Sequence, residues 1–125
     1  MEVNPVGWFE IPTKDLDRAI AFYESVFAIK LQKHPVGPLM MAFFPMEQDK
    51  AGCAGALVYN EENYTPSREG TLIYFASENL ATELERVEKA GGEVLREKTL
   101  IAKDIGYMGL FIDSEGNRIA LHSRH

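Results

Sequence analysis

Glu10 is a carboxylate set between Phe9 and Ile11, in a run of otherwise apolar residues from Trp8 to Pro12. Burying such a charge is costly unless it is paired. Its type and place allow a general base with a raised pKa, an anchor for a cationic ligand group, an ion-pair partner of Arg118, or a position at an open rim. His122 adds an imidazole that titrates near neutrality and is able to exchange a proton with Glu10. Three residues from the chain end, it also reads as a partly exposed terminal-strand histidine. Trp8 and Tyr74 offer aromatic faces suited to a cation or a flat ring.

Other reactive side chains are less organised. Cys53 follows Gly52 with no base or cation beside it, as a small core or edge residue would. His34, before Pro35, and His125, the last residue, read as solvent-exposed, and no two histidines have the i, i+4 spacing of a helical zinc motif. Met40, Met41 and Met46, with Phe43 and Phe44, make either an adaptable apolar wall or ordinary strand core. No G-x-S-x-G elbow or P-loop pattern is present.

Regular elements must position these groups. Val6 to Pro12 reads as extended. Asp15 then caps a helix whose apolar face is Leu16, Ala19, Ile20, Tyr23, Val26 and Phe27. Strands are expected at Ile29 to His34, Leu39 to Phe44 and Cys53 to Tyr59, divided by Pro35, Gly37 and Pro38 and then by a polar segment. After the polar loop from Asn60 to Gly70, Thr71 to Ala76 reads as a strand. Asn79 caps a second helix with Leu80, Leu84, Val87 and Ala90 on one face and Gly91-Gly92 at its end. The charges from Glu83 to Lys89 form its solvated side. Strands at Glu93 to Ile101, Tyr107 to Asp113 and Arg118 to His122 complete the chain, the last two joined by the turn Ser114-Glu115-Gly116-Asn117.

The order of elements repeats. A shift of 64 residues pairs Trp8 with Leu72 and matches identical residues along the units, among them Leu16 with Leu80, Glu24 with Glu88, Gly52 with Gly116 and Ala56 with Ala120. This predicts one domain over residues 1–125 made of two β-α-β-β-β units, about 6–59 and 71–123.

Composition narrows the functions. The chain has 125 residues and a formal net charge of -6, against a backbone-reading nucleic-acid binder. A domain of this size needs no disulfide or metal staple, and one cysteine excludes an internal disulfide or a multi-cysteine zinc site. No apolar run suits a membrane span and no secretory leader is visible, so a soluble cytoplasmic protein is expected.

The segment W-F-E-I-P-T-K-D-L-D-R-A-I-A-F-Y-E-S-V-F (Trp8 to Phe27), with its Phe22-Tyr23 pair, resembles the opening of the vicinal oxygen chelate superfamily of glyoxalases, bleomycin-resistance proteins and extradiol dioxygenases. F-I-D-S-E-G-N-R-I-A-L (Phe111 to Leu121) is similar to the family's D-P-x-G-N hairpin, with Ser114 in place of proline. The resemblance implies an α+β fold in which two β-α-β-β-β modules form a curved, mainly antiparallel, cup-shaped sheet with helices on its outer face. It also implies a homodimer.

Family members that use a divalent metal hold it at four positions, which carry Trp8, Ala56, Leu72 and Ala120 here. None of these offers the nitrogen or oxygen donor such an ion requires, so no metal cofactor is expected at the inherited site. If Trp8 faces the cup, strand alternation places Glu10 beside it, with Tyr74, Arg118 and His122 across from it. The leading expectation is a metal-independent binder of a small aromatic or cationic molecule, held by Trp8, Tyr74, Glu10 and Arg118. The alternatives are an enzyme of the same fold (lyase, isomerase or dioxygenase-like) with Glu10 and His122 as catalytic acid and base, or a non-catalytic structural domain whose cup is filled by its own side chains.

Overall fold

A computed structural model describes residues 4–125. Helix α1 (Leu16–Phe27) starts where Asp15 accepts a hydrogen bond from the Arg18 amide, and α2 (Leu80–Ala90) where Asn79 accepts one from Ala81. The strands are β1 (Glu10–Thr13), β2 (Gln32–Val36), β3 (Leu39–Phe43), β4 (Ala56–Tyr59), β5 (Ile73–Ala76), β6 (Glu93–Ala102), β7 (Gly106–Ile112) and β8 (Arg118–Ser123).

They form two four-stranded sheets, ordered β1-β4-β3-β2 and β5-β8-β7-β6. β1 runs parallel to β4, and β5 to β8, while the remaining neighbours are antiparallel. Glu10 stands opposite Ala56 and Tyr74 opposite Ala120, so the repeat spacing read from the sequence reappears in the strand register. Phe43 also faces Ala56 and Leu110 also faces Ala120, so inside the units the match is not ungapped.

Two strand boundaries differ from expectation for identifiable reasons. Pro12 lies within β1 instead of ending it, which an edge strand tolerates. Residues 28–31 belong to the exit of α1: Ala28 takes a left-handed conformation, and the Leu31 amide is held by the Glu24 carboxylate. β2 therefore begins at Gln32 and runs through Pro35, again on an edge.

The two sheets do not join into one. The helices pack against each other and against one face of each sheet, α1 on β3 and β4, α2 on β6, β7 and β8. A single apolar core unites Phe22, Tyr23 and Val26 of α1, Leu80, Leu84 and Val87 of α2, Leu57 of β4 and Leu121 of β8. Aromatic rings link the modules within it: Phe75 of β5 packs on Phe27 at 4.8 Å and on Phe44 at 5.4 Å, and edge-on to Phe9 at 5.9 Å. Gly55, at φ 73°, leaves the space that the Phe9 ring fills; a Cβ there would lie 2.2 Å from it. The other face of each sheet carries no helix. In the first module Tyr64 alone reaches across it from the connecting loop, against buried Met41, Ala56 and Val58.

The β7–β8 hairpin fastens the modules through polar atoms. Glu115 accepts from the amides of Lys14 and Asp15 at 2.9 and 2.8 Å and from Arg18 Nε and Nη2 at 2.8 and 2.9 Å. Asp113 accepts from the Tyr23 hydroxyl at 2.6 Å and from the amides of Glu115 and Asn117. Asn117 donates to the Pro12 carbonyl and accepts from the Ser67 amide. Burial pushes the Tyr23 phenol well above its ordinary 10.0, and Asp113 adds to the effect.

Burial alone would raise the Glu115 carboxyl, but Arg18, the Asp15 amide, the Ser114 hydroxyl and the Lys14 amide outweigh it and hold the group at about 2, below an ordinary 4.5. A depressed folded pKa means that this stabilisation is complete above the unfolded value of 4.5 and is lost as pH falls toward 2. Glu115→Ala is expected to cost about 2–4 kcal/mol in urea unfolding at neutral pH. Its stability should also fall less steeply than wild type's over that acid interval; identical acid profiles would show that the brace contributes nothing.

Candidate functional site

Strand alternation sends Ile11 and Leu57 into the core and leaves Trp8, Glu10, Ala56 and Val58 on the helix-free face of the first sheet. Trp8 is 38% exposed. Its ring lies 5.9 Å from Phe43, and the pair helps to line a concavity of about 460 Å³ with Gln32, His34 and Met46. Glu10 is half-buried, and its Oε1 accepts a 2.6 Å hydrogen bond from the Tyr64 hydroxyl. That bond, with burial and the Glu10 charge behind it, raises the Tyr64 phenol above 10.0.

Glu10 and Arg118 line one cleft of about 300 Å³ together with Thr65, Ser67, Thr71 and Asn117. They are not an ion pair. Arg118 Nε is buried with no hydrogen-bond partner among the described residues, so this cation faces the cleft beside a carboxylate already engaged by Tyr64. Tyr74 is 51% exposed and borders a different concavity, of about 490 Å³, with Val6, Leu72 and Cys53. His122 Nε2 lies 2.7 Å from the Ile105 carbonyl, which fixes that nitrogen as a donor.

The structure therefore brings Glu10 and Arg118 together, sets Trp8 and Tyr74 on separate concavities, and gives His122 a partner of its own. The proposed exchange of a proton between Glu10 and His122 has no direct contact behind it, since their hydrogen bonds go to Tyr64 and Ile105. Tyr64 was not identified from the sequence. Its only signal there is an aromatic residue within the polar loop from Asn60 to Gly70.

Of the four residues that the resemblance sets at the family's metal positions, Ala56 and Ala120 are fully buried, Trp8 is exposed and Leu72 half-buried. None carries a nitrogen or oxygen lone pair suited to a divalent cation. Among the described residues no three His, Cys, Asp or Glu side chains gather into a possible metal site. Likewise, no described helix is long and apolar enough to cross a membrane.

Comparison with known proteins agrees with this architecture. The chain is 26% identical over 124 residues to a glyoxylase-like domain-containing protein of Didymella fabae, covering 95% of this chain and 93% of that one. A glyoxylase/bleomycin resistance protein/dioxygenase domain from Frankia sp. EAN1pec superposes with a TM-score of 0.72 at 17% identity, over 97% and 98% of the two chains. The E144Q mutant of glyoxalase I from Zea mays gives 0.70 at 21% identity over 96% of this chain, which spans 47% of the maize protein. At these identities the superpositions establish the fold alone. The family model for the glyoxalase/bleomycin resistance protein/dioxygenase superfamily matches residues 6–121, and the chain belongs to that superfamily.

Proposed function

We propose that this protein binds a small aromatic or cationic molecule without the metal used by many of its relatives, and that it does so as a homodimer. The observation that carries this reading is the composition of the inherited site: Trp8, Ala56, Leu72 and Ala120 replace ligating side chains, while Glu10 stands beside Trp8 on the same face. Buried Ala56 keeps the floor of the first sheet low, and the Trp8 and Phe43 rings rise beside it. An indole face attracts a cation or a flat ring by roughly 0.5–2 kcal/mol, and a nearby carboxylate favours positive charge.

Dimerisation follows from the helix-free faces. Within one chain the two sheets stay separate, and Trp8 and Tyr74 remain exposed on different concavities. Bringing the first-module face of one copy against the second-module face of another completes a cup and covers both aromatic residues.

A second reading has its own support. Tyr64 already covers part of the first-module face, as a self-filled structural domain would require. The acid–base enzyme is less favoured, because Glu10 and His122 are engaged elsewhere.

Titration of chelator-treated protein with N-methylquinolinium, followed by the emission of the single tryptophan, is expected to give saturable quenching. Glu10→Gln should weaken the cation about tenfold while leaving neutral quinoline unchanged. An unresponsive Trp8, or a stoichiometric metal in the purified protein, would remove the reading, and light scattering should find twice the chain mass. The Glu10 charge can be tested separately. The Tyr64 phenol, isolated as the spectroscopic difference between wild type and Tyr64→Phe, should titrate above 10.0 and return toward it in Glu10→Gln.

A further inference from the structure

Another concavity lies along the seam between the two modules. About 620 Å³ opens between the end of α1, the segment before β4, the end of β5 and the start of α2. Its apolar side is aromatic: Phe27, Phe44 and Phe75 line it and pack on one another at 4.8 and 5.4 Å. Phe44 and Phe75 also belong to the core or pack against it, so these rings are anchored from behind.

The polar side is anionic. Glu78 and Glu83 both line the space, and no lysine, arginine or histidine does. The half-buried Glu83 receives the Ser77 hydroxyl on Oε1, which orients its carboxylate, but among the described residues neither acid has a cationic partner. A half-buried carboxylate without a counter-ion beside apolar rings favours a cation. The α2 N-terminus does not reverse this preference. The Leu80 and Ala81 amides are taken by Ser123 Oγ and Asn79 Oδ1, and the Thr82 amide by the Asn79 carbonyl. The Lys98 ammonium is bound to Asn79 Oδ1 and lies over the Tyr107 ring without lining the space.

We propose that this cleft is a second small-molecule site that takes an amine carried on a flat aromatic body, with the ring on Phe27, Phe44 and Phe75 and the ammonium at Glu78 and Glu83. Its volume falls within the range of small-ligand sites, and its two sides divide the ligand into an apolar part and a charged end. It contains none of Trp8, Glu10, Tyr74, Arg118 or His122, but it borders the Trp8 concavity through Phe44 and Ala54 and the Tyr74 concavity through Cys53 and Ala76, so the two sites are told apart by residues at the start of α2.

The test is an amide-resolved NMR titration of the intact protein with 2-phenylethylamine, 2-phenylethanol and 3-phenylpropionate. The amine is expected to produce saturable shifts at Ser77, Asn79 and Thr82, which line this cleft and not the Trp8 or Tyr74 concavity, with a dissociation constant below about 10 mM, and none at the Trp8 indole. The alcohol should bind about tenfold more weakly and the acid should not saturate. Glu78→Gln/Glu83→Gln should lose the same factor of about ten for the amine while keeping the wild-type spectrum away from the cleft, which separates lost recognition from lost folding. Equal binding of amine and acid, unchanged affinity in the double variant, or shifts confined to Trp8 would each overturn the proposal.

Discussion

The fold depends on one carboxylate reaching across the chain. Glu115 lies in the last hairpin, yet its partners are Lys14, Asp15 and Arg18, about a hundred residues earlier. Two of these donors are amides at the start of α1, which have no carbonyl partner inside the helix. The second module therefore holds the entry to the first module's helix. Because the acceptor is charged and enclosed, the bonds are stronger than neutral ones and costly to leave unmade. Asp113 extends the arrangement into the core through Tyr23, and Asn117 extends it to β1 and to the connecting loop.

That fastening decides what the sheets can do. With the hairpin bound to the start of α1, the two helices are drawn together and both sheets turn their helix-bearing faces to one core. The aromatic column of Phe9, Phe44, Phe75, Tyr23 and Phe27 fills the seam. The seam has an open end, and the cleft beside Glu78 and Glu83 is its continuation toward solvent. The helix-free faces, by contrast, are free to be shaped by ligands or by a second copy, since little of the core's packing rests on them.

Much of this was legible in local signals. Asp15 and Asn79 begin the helices where their side chains predict, because a capping oxygen and the amides it serves lie within three residues of each other. The repeat was legible for a similar reason: its small and apolar positions, such as Ala56 and Ala120, keep one register in both ladders. Strand ends were less so. Pro12 and Pro35 normally punctuate, and only knowledge that β1 and β2 are edges explains why they do not. The polar partners were not legible at all. Glu115 reads as a turn residue and Tyr64 as part of a polar loop, because the groups that define them, Arg18 and Glu10, are distant in sequence. Apolar periodicity reports which face is buried; it carries no information on which hydrogen-bond donor meets which acceptor.

The same distinction bears on why a binder is favoured over a catalyst at the inherited site. A metal-using site gathers directed bonds at one point, and a proton-transfer site needs its acid and base within hydrogen-bond reach of one reacting group. Here one directed bond of each group is made inside the protein, Glu10 with Tyr64 and His122 with Ile105. What is left facing outward is mainly surface: the indole of Trp8 and the phenol ring of Tyr74, with Arg118 lining one cleft together with Glu10. Ring faces attract through many weak, tolerant contacts whose strength varies little with small shifts of the ligand. Such a surface selects by shape and charge class, which suits retention of a molecule and gives little leverage on a particular bond within it.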